Sequence, residues 1–321
     1  MNYRRLGRSA LKVSELCLGT MNFGPRTSEE ESFAILNEAV AMGINFIDTA
    51  NQYGGHVGVG ATESILGKWF AEDPARRDRV ILATKVYEPM SGDINDRGLS
   101  ARHIQMACDA SLQRLKVDHI DLYQMHHIDR TAPMEEIWQA TDRLIAQGKI
   151  TYVGSSNFPG WKIAQANEKA IARHRLGLIS EQSLYNLTER RAELEVIPAC
   201  REYGVGVIVW SPLAGGLLAG PSGEADGRRQ SPEIKAGTTA RSEQLALFSE
   251  LCVELDEAPS AVALAWTLHQ SGIAASIVGP RSRQQLIAIG QAPEVVLDGN
   301  TLARLDAIFP PSGPAPEAYA W

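Results

Sequence analysis

Four side chains in this 321-residue chain carry the most pointed chemistry: Asp48, Tyr53, Lys85 and His126. Each stands at or just beyond the carboxyl end of a short apolar run. A free tyrosine holds its proton up to about pH 10. A neighbouring ammonium favours the phenolate and lowers that value. Asp48 would keep Lys85 protonated and in place, which makes Tyr53 a competent general acid. Such a set suits reduction of a carbonyl, where hydride arrives at carbon and a proton is delivered to oxygen. His126 is expected to donate a hydrogen bond to that oxygen and to orient the substrate. Each residue also has a plain structural reading. Asp48 and Lys85 can be an ion pair, and Tyr53 a loop tyrosine packed beside Gly54-Gly55. His126 and His127, with Asp129, can be surface polar groups or two ligands of a metal. The metal reading lacks a third histidine, and the first strand lacks the H-x-H of barrel metallohydrolases, so no metal is expected.

The elements that must position these groups alternate along the chain. Continuous apolar runs are expected as strands at Leu16–Gly19, Asn45–Asp48, Val80–Thr84, Ile120–Gln124, Ile150–Ser155, Leu178–Gln182, Val205–Trp210 and Ile273–Val278. Each is followed by an amphipathic helical segment: Ser28–Met42, Thr62–Phe70, Ser100–Leu115, Met134–Gln147, Pro159–Lys169, Glu193–Tyr203, Ser242–Leu255 and Arg283–Gly290. Strands that are apolar throughout suit a parallel sheet covered on both faces. Eight such units predict a closed α/β (β/α)8 TIM barrel, with the whole chain, 1–321, as one domain. An open doubly wound sheet is the alternative, and it lacks a G-x-G-x-x-G; Gly58-Val59-Gly60 has no third glycine. Ser28 with Glu31, and Ser282 with Gln285, read as capping boxes. Asn2–Leu6 and Leu11–Ser14 read as an N-terminal hairpin plugging the barrel floor, and Ser260–His269 and Thr301–Ile308 as extra helices near the C-terminus. Two segments are expected to be irregular: a Gly-rich loop over about 215–240, lid or disordered, and a Pro-rich tail over 309–321. The aromatics of that tail, Tyr319 and Trp321, either dock on the rim, touch a neighbouring subunit or fray.

Composition bounds the partners. A formal charge of −7 argues against nucleic acid, whose phosphates need a basic face. No apolar stretch is long enough for a membrane span, and Arg8, Lys12 and Glu15 interrupt any leader-like run. A cytoplasmic protein acting on a small molecule is expected. Cys17, Cys108, Cys200 and Cys252 form no C-x-x-C pair and read as core fillers in a reducing compartment. Whether the chain is a monomer or a homo-oligomer is left open by the sequence.

In order along the chain stand L-G-T-M at Leu18–Met21, F-I-D-T-A at Phe46–Ala50, Tyr53-Gly54, T-E-S-I-L-G at Thr62–Gly67 and A-T-K at Ala83–Lys85. D-L-Y-Q-M-H at Asp121–His126, G-S-S-N-F at Gly154–Phe158, Q-S-L-Y-N at Gln182–Asn186 and W-S-P-L at Trp210–Leu213 continue the series. Through these motifs the chain resembles the aldo-keto reductase superfamily over nearly its whole length. The resemblance implies a catalytic tetrad of Asp48, Tyr53, Lys85 and His126; the histidine is His126 and not His127 because the family's histidine directly follows the strand motif. It implies an NADPH/NADP+ cofactor. Gly19, Thr20, Met21 and Asp48 would line it on one side, and Ser156, Asn157 and Gln182 would hold the nicotinamide carboxamide. Trp210 would stack on the ring, and Ser211, Pro212, Leu213, Gly216 and Leu217 would wrap the pyrophosphate. The adenosine end would lie at Gly279, Arg281 and Gln285. There a helix start flanked by Arg281 and Arg283 suits the extra phosphate of NADPH. Ala288-Ile289 stands where many relatives carry Glu-Asn, which weakens the expected adenine contacts.

Within the superfamily the D-L-Y-Q-M-H-H and S-E-Q-S-L-Y-N stretches are most similar to bacterial reductases of nucleotide-linked keto-deoxyhexoses, which implies a keto-sugar substrate. Channel-associated relatives that share W-S-P-L imply a second reading, an NADPH-binding regulatory subunit with little turnover.

Overall fold

The computed structural model describes residues 1–220 and 231–320. Eight parallel strands close into a barrel: β3 Leu16–Gly19, β4 Phe46–Asp48, β5 Ile81–Val86, β6 Ile120–Met125, β7 Ile150–Ser156, β8 Leu178–Leu184, β9 Gly206–Trp210 and β10 Ile273–Val278. β10 pairs with β3 and shuts the cylinder. The preceding hairpin is β1 Tyr3–Arg5 against β2 Lys12–Ser14. Helices α1 Glu29–Ala41, α2 Ala61–Glu72, α3 Ala101–Leu115, α4 Met134–Ala146, α5 Gly160–Ile171 and α6 Val196–Glu202 each return the chain to the next strand. After β9 come α7 Pro232–Ala240, α8 Ser242–Glu254 and α9 Pro259–His269; after β10 come α10 Arg283–Ile289 and α11 Gly299–Ile308. This is the (β/α)8 barrel expected from the strand pattern.

Closure follows from what the strands must hide. Their outer faces join the helices in a large apolar cluster running from Leu16 to Phe309. Their inner faces form a smaller one with Cys17, Phe46, Ala83, Leu122 and Ile208, all fully buried. A strand buried on both sides has no use for alternation, hence the continuous apolar runs.

The hairpin closes the floor. Leu6 and Val13 are fully buried within the inner cluster, each contributing about 1.5–3 kcal/mol by leaving water. Gly7 makes the fit possible: it sits at φ +57, and a Cβ there would lie 2.3 Å from the Ile179 carbonyl oxygen. Arg8 then anchors the turn through its backbone N–H to the Gly204 carbonyl at 2.6 Å and its guanidinium to Asn167 Oδ1 at 2.9 Å.

Two expectations need correction. The first capping box is half formed: Ser28 Oγ accepts from Glu31 N, but the Glu31 carboxylate does not return to Ser28. It accepts instead from Arg283 N at 2.6 Å, tying α1 to the start of α10. The loop expected over 215–240 contains α7, started by Ser231 Oγ accepting from Ile234 N with Pro232 in the first turn, the usual helix opening. Residues 221–230 of that loop, and Trp321 of the tail, lie outside the described residues. The tail ends in a short 3-10 turn, Pro316–Ala320, and Tyr319 is exposed rather than docked. All four cysteines are buried and free, and no helix among the described residues is long and apolar enough to cross a membrane.

Candidate active site

The site is the next storey of the barrel. Two residues beyond each inner apolar position the side chain points inward again. Cys17 is thus followed by Gly19, Phe46 by Asp48, Ala83 by Lys85, Leu122 by Gln124 and Ile208 by Trp210. Lys85 and Gln124 are register partners, and so are Gly19 and Asp48. Gly154 keeps this storey open: a Cβ there would lie 2.4 Å from Ser180 Oγ and 3.2 Å from Gln124 Cγ.

Lys85 is fully buried and its three ammonium protons have three acceptors. They are Asp48 Oδ2 at 2.5 Å, the Thr49 carbonyl at 2.9 Å and Tyr53 Oη at 3.3 Å. Burial by itself would push the ammonium down. The charges of Asp48 and Tyr53 and their hydrogen bonds together outweigh it, and hold the Lys85 pKa above its ordinary value. The other Asp48 oxygen, Oδ1, accepts from Gln182 Nε2 at 2.8 Å and Gln124 Nε2 at 3.0 Å. The carboxylate is therefore fixed from three sides, as a buried charge must be.

Tyr53 comes from the loop after β4. Its N–H bonds to the Ala50 carbonyl, and its own carbonyl accepts from Thr62 N at the start of α2. The next residue, Gly54, has φ +152, and a Cβ there would fall 1.8 Å from the Gly58 carbonyl oxygen. Only glycine lets the loop fold back so tightly, and that fold aims the phenol at Lys85.

His126 follows β6, with its N–H bonded to the Val86 carbonyl at 2.9 Å. Its ring meets the Tyr53 ring edge-on at 5.9 Å between centroids. Burial, then the Lys85 charge, then His127 push its pKa down to about 2. The imidazole is thus neutral, and Nδ1 is buried with no hydrogen-bond partner. His127 stacks on it at 4.9 Å with planes 10° apart and places Nε2 3.2 Å from Glu88 Oε1. Glu88, His126 and His127 bring ligand atoms within 4.8 Å of one another. Two rings stacked nearly parallel direct their lone pairs side by side rather than towards one ion, a poor start for the tetrahedral shell zinc prefers.

These groups open onto a cavity of about 850 Å³, of the size that holds a cofactor or a large ligand. Asp48, Tyr53 and His126 line one end; Gly279, Arg281, Gln285 and the Ala288-Ile289 pair line the other. Between them lie Gly19, Thr20, Met21, Ser156, Asn157, Gln182, Trp210, Ser211, Pro212, Leu213 and Gly216. Lys85 sits below, reaching the cavity only through its neighbours. Leu217 does not line it: the 3-10 turn Ala214–Gly216 carries the chain on to Leu218, which is fully buried in the core.

The polar groups that the sequence motifs lead one to expect at a carboxamide are partly engaged within the protein. Asn157, at φ +59, donates from Nδ2 to the His126 carbonyl and Ser156 Oγ and accepts at Oδ1 from Trp210 Nε1 at 3.0 Å. This ties the indole to the end of β7. Gln182 spends Nε2 on Asp48 Oδ1 and, at 3.3 Å, on Gln124 Oε1. Gly19 is packed closely against its neighbour strand: a Cβ there would lie 2.5 Å from Ile277 Cγ2, so any side chain at this point would displace Ile277, which also lines the cavity. At the far end the second capping box closes one residue early, Ser282 Oγ accepting from Gln285 N and Gln285 Oε1 from Arg281 N. Arg283 is withdrawn into an ion pair with Glu38 at 2.6 Å, so of the two arginines expected at this end, only Arg281 lines the cavity.

Two functional-looking residues carried no expected role. Gln124 lies inside the quoted D-L-Y-Q-M-H motif, and the period-two count from Leu122 places it inward. Glu181 stands in the middle of β8 and is fully buried. It accepts from Phe158 N at 3.0 Å and Ser183 Oγ at 2.9 Å, and from Ser155 Oγ. It thereby grips the turn that carries Ser156 and Asn157.

The sequence pattern of the Aldo/keto reductase family matches residues 15–309. The chain is 50% identical over 327 residues to the uncharacterised oxidoreductase YrpG of Bacillus subtilis (strain 168), covering all of both chains. It is 33% identical over 342 residues to versiconal hemiacetal acetate reductase of Aspergillus parasiticus, with 97% of this chain and 98% of the relative covered. It is also 31% identical over 332 residues to a protein of Oryza sativa subsp. japonica called "Probable voltage-gated potassium channel subunit beta", with 99% and 100% covered.

Proposed function

The chain belongs to the aldo/keto reductase family and is an oxidoreductase, and from that premise we propose that it reduces an aldehyde or ketone to the alcohol with NADPH, the proton coming from Tyr53. One observation carries the reading: a single buried ammonium, Lys85, bonded at once to a carboxylate and to the phenol that lines the cavity. Bound between Trp210 and Arg281, the cofactor would supply the hydride. Tyr53 gives its proton to the carbonyl oxygen, and Lys85 stabilises the phenolate left behind. Asp48 keeps Lys85 charged, and Gln124 and Gln182 keep Asp48 from turning away. His126, being neutral, acts as a hydrogen-bonding guide for the substrate oxygen and not as a second acid. Arg281 supplies the preference for the 2′-phosphate. Gln52, Glu88 and His127, at the Tyr53 end, offer hydrogen bonds to a hydroxylated carbonyl compound of the keto-sugar kind.

Tyr53→Phe tests the proton donor. The variant should bind NADPH as the parent does, read by quenching of Trp210 fluorescence, while turnover of 4-nitrobenzaldehyde falls about 100-fold or more. Retention of most of the rate removes Tyr53 from proton delivery. Arg281→Ala should weaken NADPH about tenfold and leave NADH nearly unchanged; an equal loss for both takes Arg281 off the phosphate. The potassium channel subunit name favours the second reading, a regulatory subunit that binds NADPH and turns over slowly. Tight NADPH binding with no turnover on a panel of keto-sugars, quinones and aromatic aldehydes would select it.

A further inference from the structure

A second cavity, of about 360 Å³, opens beside the first. Its walls are the two segments that leave the active site. One runs on from His126 to Arg130, Thr131 and the first turn of α4; the other runs on from Asn157 to Trp161 and Lys162 in the first turn of α5. Met134, Glu135, Trp161, Lys162, Gln165 and Lys169 are among the residues that line it.

Its charges are not balanced. Lys169 is paired with Glu135. Lys162 is 6% exposed, yet its ammonium makes one side-chain hydrogen bond, to the neutral Gln165 Oε1 at 2.9 Å, and no carboxylate among the described residues lies within 4.0 Å. Its stem is buried while its head lines the cavity, where two of its three ammonium protons remain for a group bound there and the Glu135 charge acts on it from the same wall. Arg130 has no carboxylate of the described residues within 4.0 Å either; its guanidinium stands 5.9 Å from the Trp161 ring, with Lys162 Nζ 5.7 Å from the same ring. Asp129, the nearest acid in sequence, is saturated by Leu99 N, Thr131 N and Oγ1, and Ala132 N. Helices α4 and α5 both start here behind a proline, and neither has a side-chain cap. The α5 start adds positive potential on the same wall, while at the α4 start the Glu135 carboxylate already accepts from its own backbone N–H. Trp161 is 49% exposed and offers a flat face to whatever the cations hold.

We infer that this rim cavity is a binding site for a phosphate ester, with Arg130 and Lys162 gripping the phosphate and Trp161 covering the ring that carries it. A doubly charged oxyanion completes both cations and the α5 helix start together, which a chloride or a single carboxylate does less well. The grip on the phosphate does not rest on the proposed reductase chemistry, because none of its residues belongs to the proton-donating set.

The test uses phenyl phosphate as probe on the full chain, by calorimetric titration, beside phenol and inorganic phosphate. Phenyl phosphate should bind tightest. Arg130→Ala, an exposed position that leaves the fold alone, and Lys162→Met, which keeps the buried stem, should each weaken it about tenfold or more. Trp161→Ala should bring phenyl phosphate down to the affinity of inorganic phosphate. Binding that survives both Arg130→Ala and Lys162→Met, binding lost only in Arg281→Ala, or no binding at all overturns the site. Where binding holds, inhibition competitive with the carbonyl substrate makes the phosphate part of the substrate, and inhibition or activation of another pattern makes it a separate effector.

Discussion

At the scale of single residues, the site is a lesson in how a barrel interior handles charge. Lys85 and Asp48 are tolerable in the core because every proton and lone pair that matters is met. Glu181 shows the opposite balance. It is as deeply buried and accepts hydrogen bonds from serine hydroxyls and a backbone N–H, but no cation faces it. Burial dominates and pushes its pKa up to about 7. Its folded value lies above the unfolded one, so the protonated form is the one the fold favours. Its contribution to stability is full below the ordinary carboxylate range, declines as pH rises towards 7, and is gone above it. The span amounts to about 3 kcal/mol. Glu181→Gln removes the titration and keeps the shape. The variant should gain stability relative to the parent as pH is raised from 5 to 7.5, measured by urea midpoints, with Ser156 and Asn157 still in place. Parallel curves for the two proteins would show that Glu181 does not titrate there.

At the scale of elements, legibility followed the physics of each segment. β3 and β10 were readable to the residue because a strand apolar on both faces stops where polar chemistry begins, at Thr20 and Gly279. Asp48, Lys85 and His126 were readable for the same reason. What the pattern hid were contacts between elements. Nothing in the run around Glu31 says that its carboxylate will bond Arg283 N, or that Arg283 will leave the cavity for Glu38. Gln182 was expected to face the cofactor alone, yet half of its amide serves Asp48. α7 escaped notice because the Gly and Ser around it outweighed the short Ser231-Pro232 start. The Tyr53 loop is where an element most directly sets chemistry. In Gly54→Ala the new methyl meets the Gly58 carbonyl, and the backbone must open. A strain of about 1–3 kcal/mol is expected, with Tyr53 displaced from Lys85. The melting temperature should drop and turnover should fall well beyond what the loss of folded protein explains. An alanine variant with parental rate and stability would show that the loop position is set elsewhere.

At the scale of the whole molecule, the barrel divides its labour between its two ends. The carboxyl ends of the strands carry Asp48, Lys85, Gln124, Trp210 and both cavities; the amino ends carry the apolar storey and the hairpin that seals it. The hairpin has no contact with the chemistry, and its value is that Leu6 and Val13 complete a layer that would otherwise face water. Leu6→Ala separates the two ends. Removing a fully buried side chain whose neighbours belong to closed strands leaves a space that cannot collapse easily, at a cost of about 2–4 kcal/mol. The urea midpoint should fall accordingly, with the slope of the transition unchanged. The carbonyl reductase rate of the folded protein at 25 °C should stay within a factor of about two, since the Lys85 storey keeps its own contacts and distant sites act nearly independently. A rate that fell in step with stability would mean that the floor of the barrel holds the register of β4 and β5, and that the separation of roles between its two ends is incomplete.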